Sequence, residues 1–283
     1  MLHINYKPSI SLLPFIDRYW YFDSDTENGI DLFPLFPGTG VDLFIHFSSP
    51  FQTEKERLAS SHIFCPRQTF AIASKEKLAF VAVRFRSGAF RHFCALNFSE
   101  LNDRFLSVQD IWGKEGLELT DKLKEESAVT LRINILDTFF LKQLKKFGKK
   151  NRELDLSISY IYQHFEDVEI HTLAKKQNIS LRHFERLFKN EFGISPKKFQ
   201  IIIRFRATLK ELLLSSHSDY FEIAVNNGYY DQSHFIKECK ALSDISPLQL
   251  IKMRDKRYHF YFRKYMDYPD LLRGCLNFPR IKK

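Results

Sequence analysis

Apolar and polar residues alternate over short segments in about the first 95 residues of the chain. The segments 19–22, 41–47 and 80–85 are rich in β-forming residues, and turn sequences such as Asn28-Gly29 and Pro37-Gly38 separate them. Many short strands with frequent turns are typical of a small barrel or sandwich. We therefore predict a strand-rich, barrel-like domain in this part of an α+β protein.

Helical spacing of apolar residues replaces this alternation from about Ala89. The clearest predicted helix covers residues 127–147, and its apolar stripe consists of Leu131, Ile135, Leu136, Phe139, Phe140 and Leu144. Such a stripe can pack on the strand-rich domain or pair with the same helix of a second copy. The sequence leaves both open, so a homodimer through the 127–147 helix is one option. The basic segment 148–152 then predicts a linker.

One pattern occurs twice in the helical remainder of the chain, which extends to about Met253. His183-Phe184 recurs as His234-Phe235, and Ile194-Ser195-Pro196 recurs as Ile245-Ser246-Pro247, both 51 positions later. Repetition at a fixed spacing indicates a repeated structural unit. Each unit has the pattern of two helices joined by a tight turn, which is the helix-turn-helix arrangement.

The second helix of the first unit has an apolar face and a polar face. Ser180 is the predicted N-cap, after a turn at Asn178, a residue type that tolerates positive φ. Phe184, Leu187 and Phe188 recur at the spacing of a buried helix face. The opposite face, which we predict to be exposed, carries Arg182, Glu185, Arg186 and Lys189.

The second unit repeats this arrangement, with Asp231 as the predicted N-cap and Phe235 as a buried residue. Its predicted outward residues are Gln232, Ser233, Ile236 and Lys237. The DNA major groove admits one α-helix, in which Arg can donate to both O6 and N7 of guanine. A solvated surface would explain one polar face, but two such faces in register favour DNA binding.

A long predicted helix connects the two units. It starts at Ser195-Pro196, a good cap followed by proline at the first helical position, and continues to about Leu214. Its length of roughly 30 Å is close to the spacing of about 34 Å between successive major-groove faces on one side of B-DNA. One chain could therefore contact two adjacent turns, with Arg204, Arg206 and Lys210 approaching phosphates.

Charge and cysteine content add only a little to the prediction of function. The net charge of +9 is spread unevenly, since residues 1–150 contribute 20 basic and 18 acidic side chains and residues 151–283 contribute 23 and 16. Much of the excess lies beyond Met253, so DNA binding must rest on placed residues and not on bulk charge. Four separated cysteines, at 65, 94, 239 and 275, indicate buried, reduced thiols in a cytoplasmic protein. Neither a signal peptide nor a membrane-spanning run is expected.

These residues resemble a known family. Residues from about 150 to 253, with Gly228-Tyr229-Tyr230-Asp231-Gln232-Ser233-His234-Phe235 and Ile245-Ser246-Pro247, look like the double helix-turn-helix DNA-binding domain of AraC/XylS-type bacterial transcription regulators. The resemblance implies that Arg182, Glu185 and Arg186 in the first unit, and Gln232, Ser233 and Lys237 in the second, meet bases. Cys239, Asp244 and Thr208 depart from the usual Phe, Gly and Ala. We therefore expect the 180–189 helix to dominate base reading.

The strand-rich region resembles, more loosely, the sensor region of some such regulators. The fragments that carry this likeness include 14–20, 37–43, 83–90 and 110–113. The likeness implies an effector-binding or dimerising module, with the effector unidentified. The predicted domains are then 1–148 for sensing or dimerisation, 149–253 for DNA binding and 254–283 as a basic, aromatic extension.

Other chemistry finds little support in the sequence. Common nucleotide-binding, hydrolase and zinc-protease motifs are absent, and no HxH pair joins His46, His62 or His92 into a metal site. We therefore expect no enzyme activity, no cofactor and no metal. Two other classes stay open: a DNA-modifying or sensor-domain enzyme, and a helical protein-interaction module without DNA binding.

Overall fold

The fold is that of a computed structural model, which describes residues 2–24, 28–148, 152–214 and 219–252. The predicted extension 254–283, with Cys275, and most of the predicted linker lie outside the described residues. Below, the N-terminal part means residues 2–148 and the C-terminal part means residues 152–252.

The N-terminal part is built on antiparallel strands. The strands are β1 (Leu2–Tyr6), β2 (Ile16–Asp23), β3 (Asn28–Leu35), β4 (Asp42–His46), β5 (Ser61–Phe64), β6 (Phe70–Glu76), β7 (Ala79–Phe85) and β8 (Phe105–Ser107). Six form one sheet in the order β1-β2-β7-β4-β5-β8, and β3 pairs with β6. The prediction of a strand-rich region followed by helices is confirmed, although the six-stranded sheet is open and does not close into a barrel.

Each face of the larger sheet carries its own core. On one face, Phe22, Phe44, Phe64 and Phe80 pack toward the β3–β6 pair. They belong to a mainly aromatic cluster that also contains Phe51 and the aliphatic Ile72, and we call it the aromatic cluster. The other face packs against helices α1 (Val108–Trp112), α2 (Lys114–Glu125) and α3 (Val129–Phe147). Burial on both faces explains why β7 has an almost continuous apolar sequence instead of alternation.

Regular α-helix begins later than the apolar spacing predicted. Residues Ala89–His92 form one turn of 3-10 helix, and the chain then adds β8 to the sheet before α1 starts at Val108. The reason is that Phe105 stacks on Phe64 of β5, with ring centroids 4.0 Å apart, so tertiary pairing decides the local conformation.

The stripe on α3 packs within the chain. Leu136 and Phe140 are fully buried in the core beneath the sheet, and Ile135, Phe139 and Leu144 pack against that core. Leu131 is different, since 48% of it is exposed. Of the two options that the stripe allowed, the structure shows the intramolecular one.

Every regular element of the C-terminal part is an α-helix, among the residues described. It consists of α4 (Arg152–Gln163), α5 (Ile170–Lys176), α6 (Leu181–Phe192), α7 (Pro196–Leu214), α8 (Tyr220–Asn226), α9 (Gln232–Ser243) and α10 (Pro247–Lys252). Two hydrophobic cores lie along α7: Phe199 and Ile203 belong to the core of α4, α5 and α6, and Phe205 and Leu209 belong to the core of α8, α9 and α10. Among the described residues, no helix has the length and apolar character needed to cross a membrane.

A backbone position after α9 generates the first testable prediction. Asp244 follows α9 with φ of 57°, in the left-handed region where Gly193 stands after α6. We expect Asp244→Gly to raise the free energy of unfolding by about 0.5 kcal/mol, because relief of left-handed strain outweighs the extra entropy of the unfolded chain. Urea denaturation of the full chain measures this difference.

Ala241→Gly is the matched control, since Ala241 is exposed inside α9. There the same new residue should lower the free energy of unfolding by about 1 kcal/mol. A loss of stability in both variants would contradict the assignment of strain to Asp244.

Candidate DNA-binding surface

The first helix-turn-helix unit is set by its turn and cap. Asn178 adopts φ of 55° between α5 and α6, as its residue type allows. The Ser180 hydroxyl then accepts a hydrogen bond from the backbone N–H of His183, 3.2 Å away, and α6 starts at Leu181. Both the predicted turn and the predicted N-cap are confirmed.

Helix α6 separates its residues into the two predicted faces. Phe184, Phe188 and Phe192 are buried in the core that α6 shares with α4, α5 and α7, and Leu187 packs against that core. The exposed residues include Arg182, Glu185, Arg186 and Lys189. All four predicted DNA-contacting residues of this 12-residue helix are therefore exposed on its surface.

The second unit has the same backbone plan. An Asp231 carboxylate oxygen accepts from the backbone N–H of His234 at 2.7 Å, and α9 begins at Gln232. Gln232, Ser233 and Lys237 are exposed, while Ile236 is half-buried. The side-chain amide of Gln232 also donates a hydrogen bond to the Tyr220 hydroxyl of α8.

Cys239 fills the place of a larger side chain in the second core. It is fully buried, and its thiol donates to the backbone carbonyl of Ile245, 3.3 Å away. Burial raises the pKa of the Cys239 thiol to about 11. The residue is thus a small packing group at the place that Phe188 occupies in the first unit.

Helix α7 holds the two units at a fixed separation. The Ser195 hydroxyl accepts from the backbone N–H of Lys198 at 3.2 Å, and Pro196 is the first helical residue, as predicted. The helix has 19 residues, which corresponds to about 28 Å. Lys210 lies exposed on it.

Arg204 points into the second unit and not toward solvent. Its side chain is 8% exposed and forms an ion pair with Glu238 of α9 at 2.5 Å. Its guanidinium carbon lies 4.5 Å from the centre of the Tyr229 ring, and the Tyr229 hydroxyl donates to Glu238 at 2.7 Å. Burial, together with this carboxylate, raises the pKa of Tyr229. This placement departs from the expected approach to phosphate, because the side of α7 that carries Arg204 faces α9.

Arg206 is directed to the N-terminal part of the chain. It is half-buried, and its Nη1 atom is 3.8 Å from the position that a Cβ on Gly38 would occupy. Arg84 of β7 approaches the same glycine, with Nη2 at 3.9 Å from that position. The sequence carried no signal for this contact, because Gly38 and Arg206 are far apart along the chain.

Two residues with a place at this surface escaped the sequence prediction. Glu238 anchors α9 to α7 through Arg204, and Tyr230, in the turn before α9, is 90% exposed. From sequence alone, a Glu on a helix is interpreted as a solvated charge. The role of Glu238 becomes visible only through its partner Arg204, which is distant in sequence. The exposure of Tyr230 follows from the turn geometry, which puts Tyr229 inside and its neighbour outside.

Comparisons with known proteins find a helix-turn-helix domain in the C-terminal part. A sequence model of a helix-turn-helix domain matches residues 173–253, and a model of a domain of unknown function matches residues 4–107. An uncharacterised HTH-type transcriptional regulator of Haemophilus influenzae is 30% identical over 107 residues, which are 38% of this chain and 36% of that protein. The HTH-type transcriptional activator RhaS of Escherichia coli is 27% identical over 103 residues, or 36% of this chain and 37% of that protein.

The chain thus matches a little over a third of the length of these curated relatives. Among solved structures, ToxT from Vibrio cholerae aligns with 83% of this chain and 97% of its own, with 10% identity and a TM-score of 0.47.

The buried Arg204–Glu238 pair generates the second prediction. Arg204→Met leaves the Glu238 carboxylate buried without its cation, so we expect the free energy of unfolding to fall by about 3 kcal/mol. Lys237→Met, at an exposed site on the same helix, should change it by less than about 0.5 kcal/mol. Urea denaturation of both variants makes the comparison, and equal effects would show that the pair contributes nothing particular to stability.

Proposed function

We propose that the protein is a sequence-specific, DNA-binding transcription regulator of the AraC type, since its C-terminal region matches a helix-turn-helix domain and the corresponding parts of HTH-type transcriptional regulators. The observation that carries the proposal is the pair of N-capped helices, α6 and α9, which present exposed polar faces from one rigid connector. We call these two the reading helices. Each is long enough for its first turns to enter a major groove.

Direct base contacts are assigned to side chains that the fold leaves exposed. In α6 these are Arg182, Glu185, Arg186 and Lys189, and in α9 they are Gln232, Ser233 and Lys237. Arg186 and Arg182 suit guanine, whose O6 and N7 accept a bidentate pair of hydrogen bonds. We propose that α6 dominates base reading, which fits the engagement of Gln232 with Tyr220 and the single cation, Lys237, among the assigned residues of α9.

Phosphate contacts are assigned to Lys210 and not to Arg204 or Arg206. Lys210 is exposed on α7, whereas Arg204 is paired with Glu238 and Arg206 adjoins Gly38. Phosphate contacts position a protein on DNA without reading its sequence. Arg204 then serves the function indirectly, because it holds α9 against α7.

The competing classes find less support in the structure. A thiol-based enzyme would need a reactive cysteine, but Cys65 is fully buried and burial raises its pKa. Among the described residues, no cluster of three or more His, Cys, Asp or Glu side chains could hold a metal ion. A protein-interaction module would not need matched caps, matched turns and exposed arginines at equivalent places in two units.

The N-terminal domain, residues 1–148, is proposed to sense a small effector, with 149–253 as the DNA-binding domain and 254–283 as an extension of unassigned role. Support for sensing comes from the aromatic cluster between the two sheets, where His46 and His62 are buried. Among the described residues, neither ring nitrogen of His46, nor Nε2 of His62, has a hydrogen-bond partner. Burial lowers the pKa of His62 to about 4, and Nδ1 of its neutral ring donates to the backbone carbonyl of Ala59 at 2.8 Å, so that Nε2 is left as an acceptor.

Two further features of the regulator belong to the proposal. We infer that α3 contributes to a homodimer, since Leu131 and Leu141 remain exposed beside its buried stripe. We place the protein in the cytoplasm, where a regulator of this type would meet its DNA.

Selection from random duplex DNA tests the function itself. We expect the full-length chain to enrich a defined sequence that spans two adjacent helical turns, with affinity that falls steeply as salt rises. Enrichment of no sequence would overturn the proposal and would favour the interaction module.

Single substitutions test the assignment of base contacts. On the selected site, Arg186→Ala or Arg182→Ala should cost about 1–3 kcal/mol of binding free energy and should relax base preference at one position. Lys175→Ala, which removes an exposed cation from α5, is the control and should leave base preference unchanged. If Arg186→Ala weakened binding equally on all sequences, the residue would be a phosphate contact only.

Fluorescence tests the proposed effector site. Trp20 lies in the aromatic cluster, with its ring centroid 5.1 Å from that of Phe80, and Trp112 lies in the other core. In a Trp112→Phe variant, a small molecule that enters the cluster should shift the Trp20 emission at the concentration that alters DNA affinity. A compound that alters DNA affinity without any change in that emission would place the effector elsewhere.

A further inference from the structure

One short segment of the N-terminal domain contacts the C-terminal ends of both reading helices. The Arg67 guanidinium donates through Nη2 to the backbone carbonyl of Phe192, the last residue of α6, at 3.0 Å. Two residues further on, the Thr69 hydroxyl donates to the carbonyl of Leu242 near the end of α9, at 3.2 Å. Because two residues of extended chain span at most about 7 Å, a single short segment reaches the C-terminal ends of both reading helices.

Arg67 is held rigidly at this contact. Its side chain is buried, its backbone N–H donates to the Asp103 carboxylate, and Nε donates to the side-chain oxygen Oδ1 of Asn102 at 2.8 Å. Nη1 donates to the backbone carbonyl of Gly38 at 2.7 Å. Every nitrogen of the guanidinium is therefore bonded to a defined partner, so the group cannot swing without loss of several hydrogen bonds.

The chemistry of the contact suits the end of a helix. The last carbonyls of an α-helix lack partners within the helix, and the helix dipole places partial negative charge there. A guanidinium satisfies one of these carbonyls and is favoured by the dipole. Asn102 satisfies the next one, since its side-chain amide donates to the carbonyl of Gly193 at 2.9 Å.

Close packing at Gly193 makes the same contact tight. Gly193 ends α6 with φ of 72°, and a Cβ added there would lie 2.6 Å from the backbone oxygen of Phe98. The position thus requires glycine for two reasons, its left-handed backbone and the approach of the N-terminal domain.

A second anchor lies beside the first on α6. Arg91, which is almost fully buried, donates to Glu191 of α6 at 3.2 Å and to Asp155 of α4 at 2.5 Å. The N-terminal domain therefore holds the first unit at two points and reaches the second unit through Thr69. The assigned base-contacting residues of α6 and α9 stay exposed throughout.

We propose that Arg67 and Thr69 are positioning residues that fix the reading helices relative to one another and thereby set the base-pair spacing that the protein accepts. This inference rests on the proposed function. Helix α7 joins the two units on one side and sets the distance between them. The segment 67–69 joins them on the other side and adds a second point of attachment, at the C-terminal ends of α6 and α9.

The segment also lies between two strands that line the aromatic cluster. It connects β5, which carries His62 and Phe64, to β6, which begins at Phe70. A change in that cluster would consequently reach both reading helices through the same two side chains.

The test compares DNA sites of different spacing, with the full-length chain. The selected two-turn site is measured beside a site with one base pair inserted between its two segments, which adds about 3.4 Å and about 35° of rotation. A third DNA keeps only the segment read by α6. The variants are Arg67→Gln, Thr69→Val and the double variant, and Arg57→Gln, an exposed arginine of the same domain, is the control.

We expect the wild-type chain and Arg57→Gln to bind the inserted site about tenfold or more weakly than the selected site. In the double variant this ratio should fall to about threefold or less, while affinity for the single-segment DNA stays within about twofold of wild type. Thr69→Val alone should lower the ratio by a smaller factor, and it removes only one hydroxyl, so the fold is expected to persist.

Two results would overturn the inference. An unchanged spacing ratio in the double variant and in Thr69→Val would show that α7 alone sets the spacing. A parallel loss of affinity on all three DNAs, including the single-segment DNA, would show a merely structural role. Failure of the wild-type chain to select any DNA would instead overturn the proposed function, and this inference with it.

Discussion

The shared burial of α7 is the constraint on which the C-terminal part depends. One helix supplies Phe199 and Ile203 to the first core and Phe205 and Leu209 to the second, so neither unit can shift along it without exposing apolar surface. The same helix defines the separation of α6 and α9, and its length of about 28 Å matches the repeat of B-DNA closely enough for two adjacent contacts. Packing within both units thus depends on a single element.

The two units share a backbone but differ in chemistry. The first has the buried Phe188, a glycine after α6 and two exposed arginines, whereas the second has Cys239, the strained Asp244 and a buried ion pair between Arg204 and Glu238. A buried ion pair fixes geometry at the cost of desolvation, while a buried aromatic side chain contributes stability directly. The second unit is therefore the one whose position relies most on specific polar contacts.

Those polar contacts extend to the N-terminal domain. Arg67 and Arg91 are buried at the junction and meet backbone carbonyls or carboxylates of the C-terminal part, and Phe36 packs its ring 6.5 Å from that of Phe205. Burial of a guanidinium is unfavourable unless its hydrogen bonds are satisfied, so the domains are stable against each other in few relative orientations. A protein built this way can pass a local change in one part to the other without a large motion.

The sequence by itself determined what depends on neighbours along the chain. The caps Ser180, Ser195 and Asp231, the turn at Asn178 and the buried and exposed faces of α6 all follow from residue type and helical spacing, and the structure has each of them. Only the tertiary structure decided where long side chains with several possible partners would point. Arg204 and Arg206 turn away from the expected phosphates, because partners that are distant in sequence, Glu238 and Gly38, are brought beside them by the packing of α7. Caps and turns depend on residues that are close in sequence, so the sequence predicts them. The partner of a long, flexible arginine side chain depends on which helices and strands the fold places around it, so only the tertiary structure determines it.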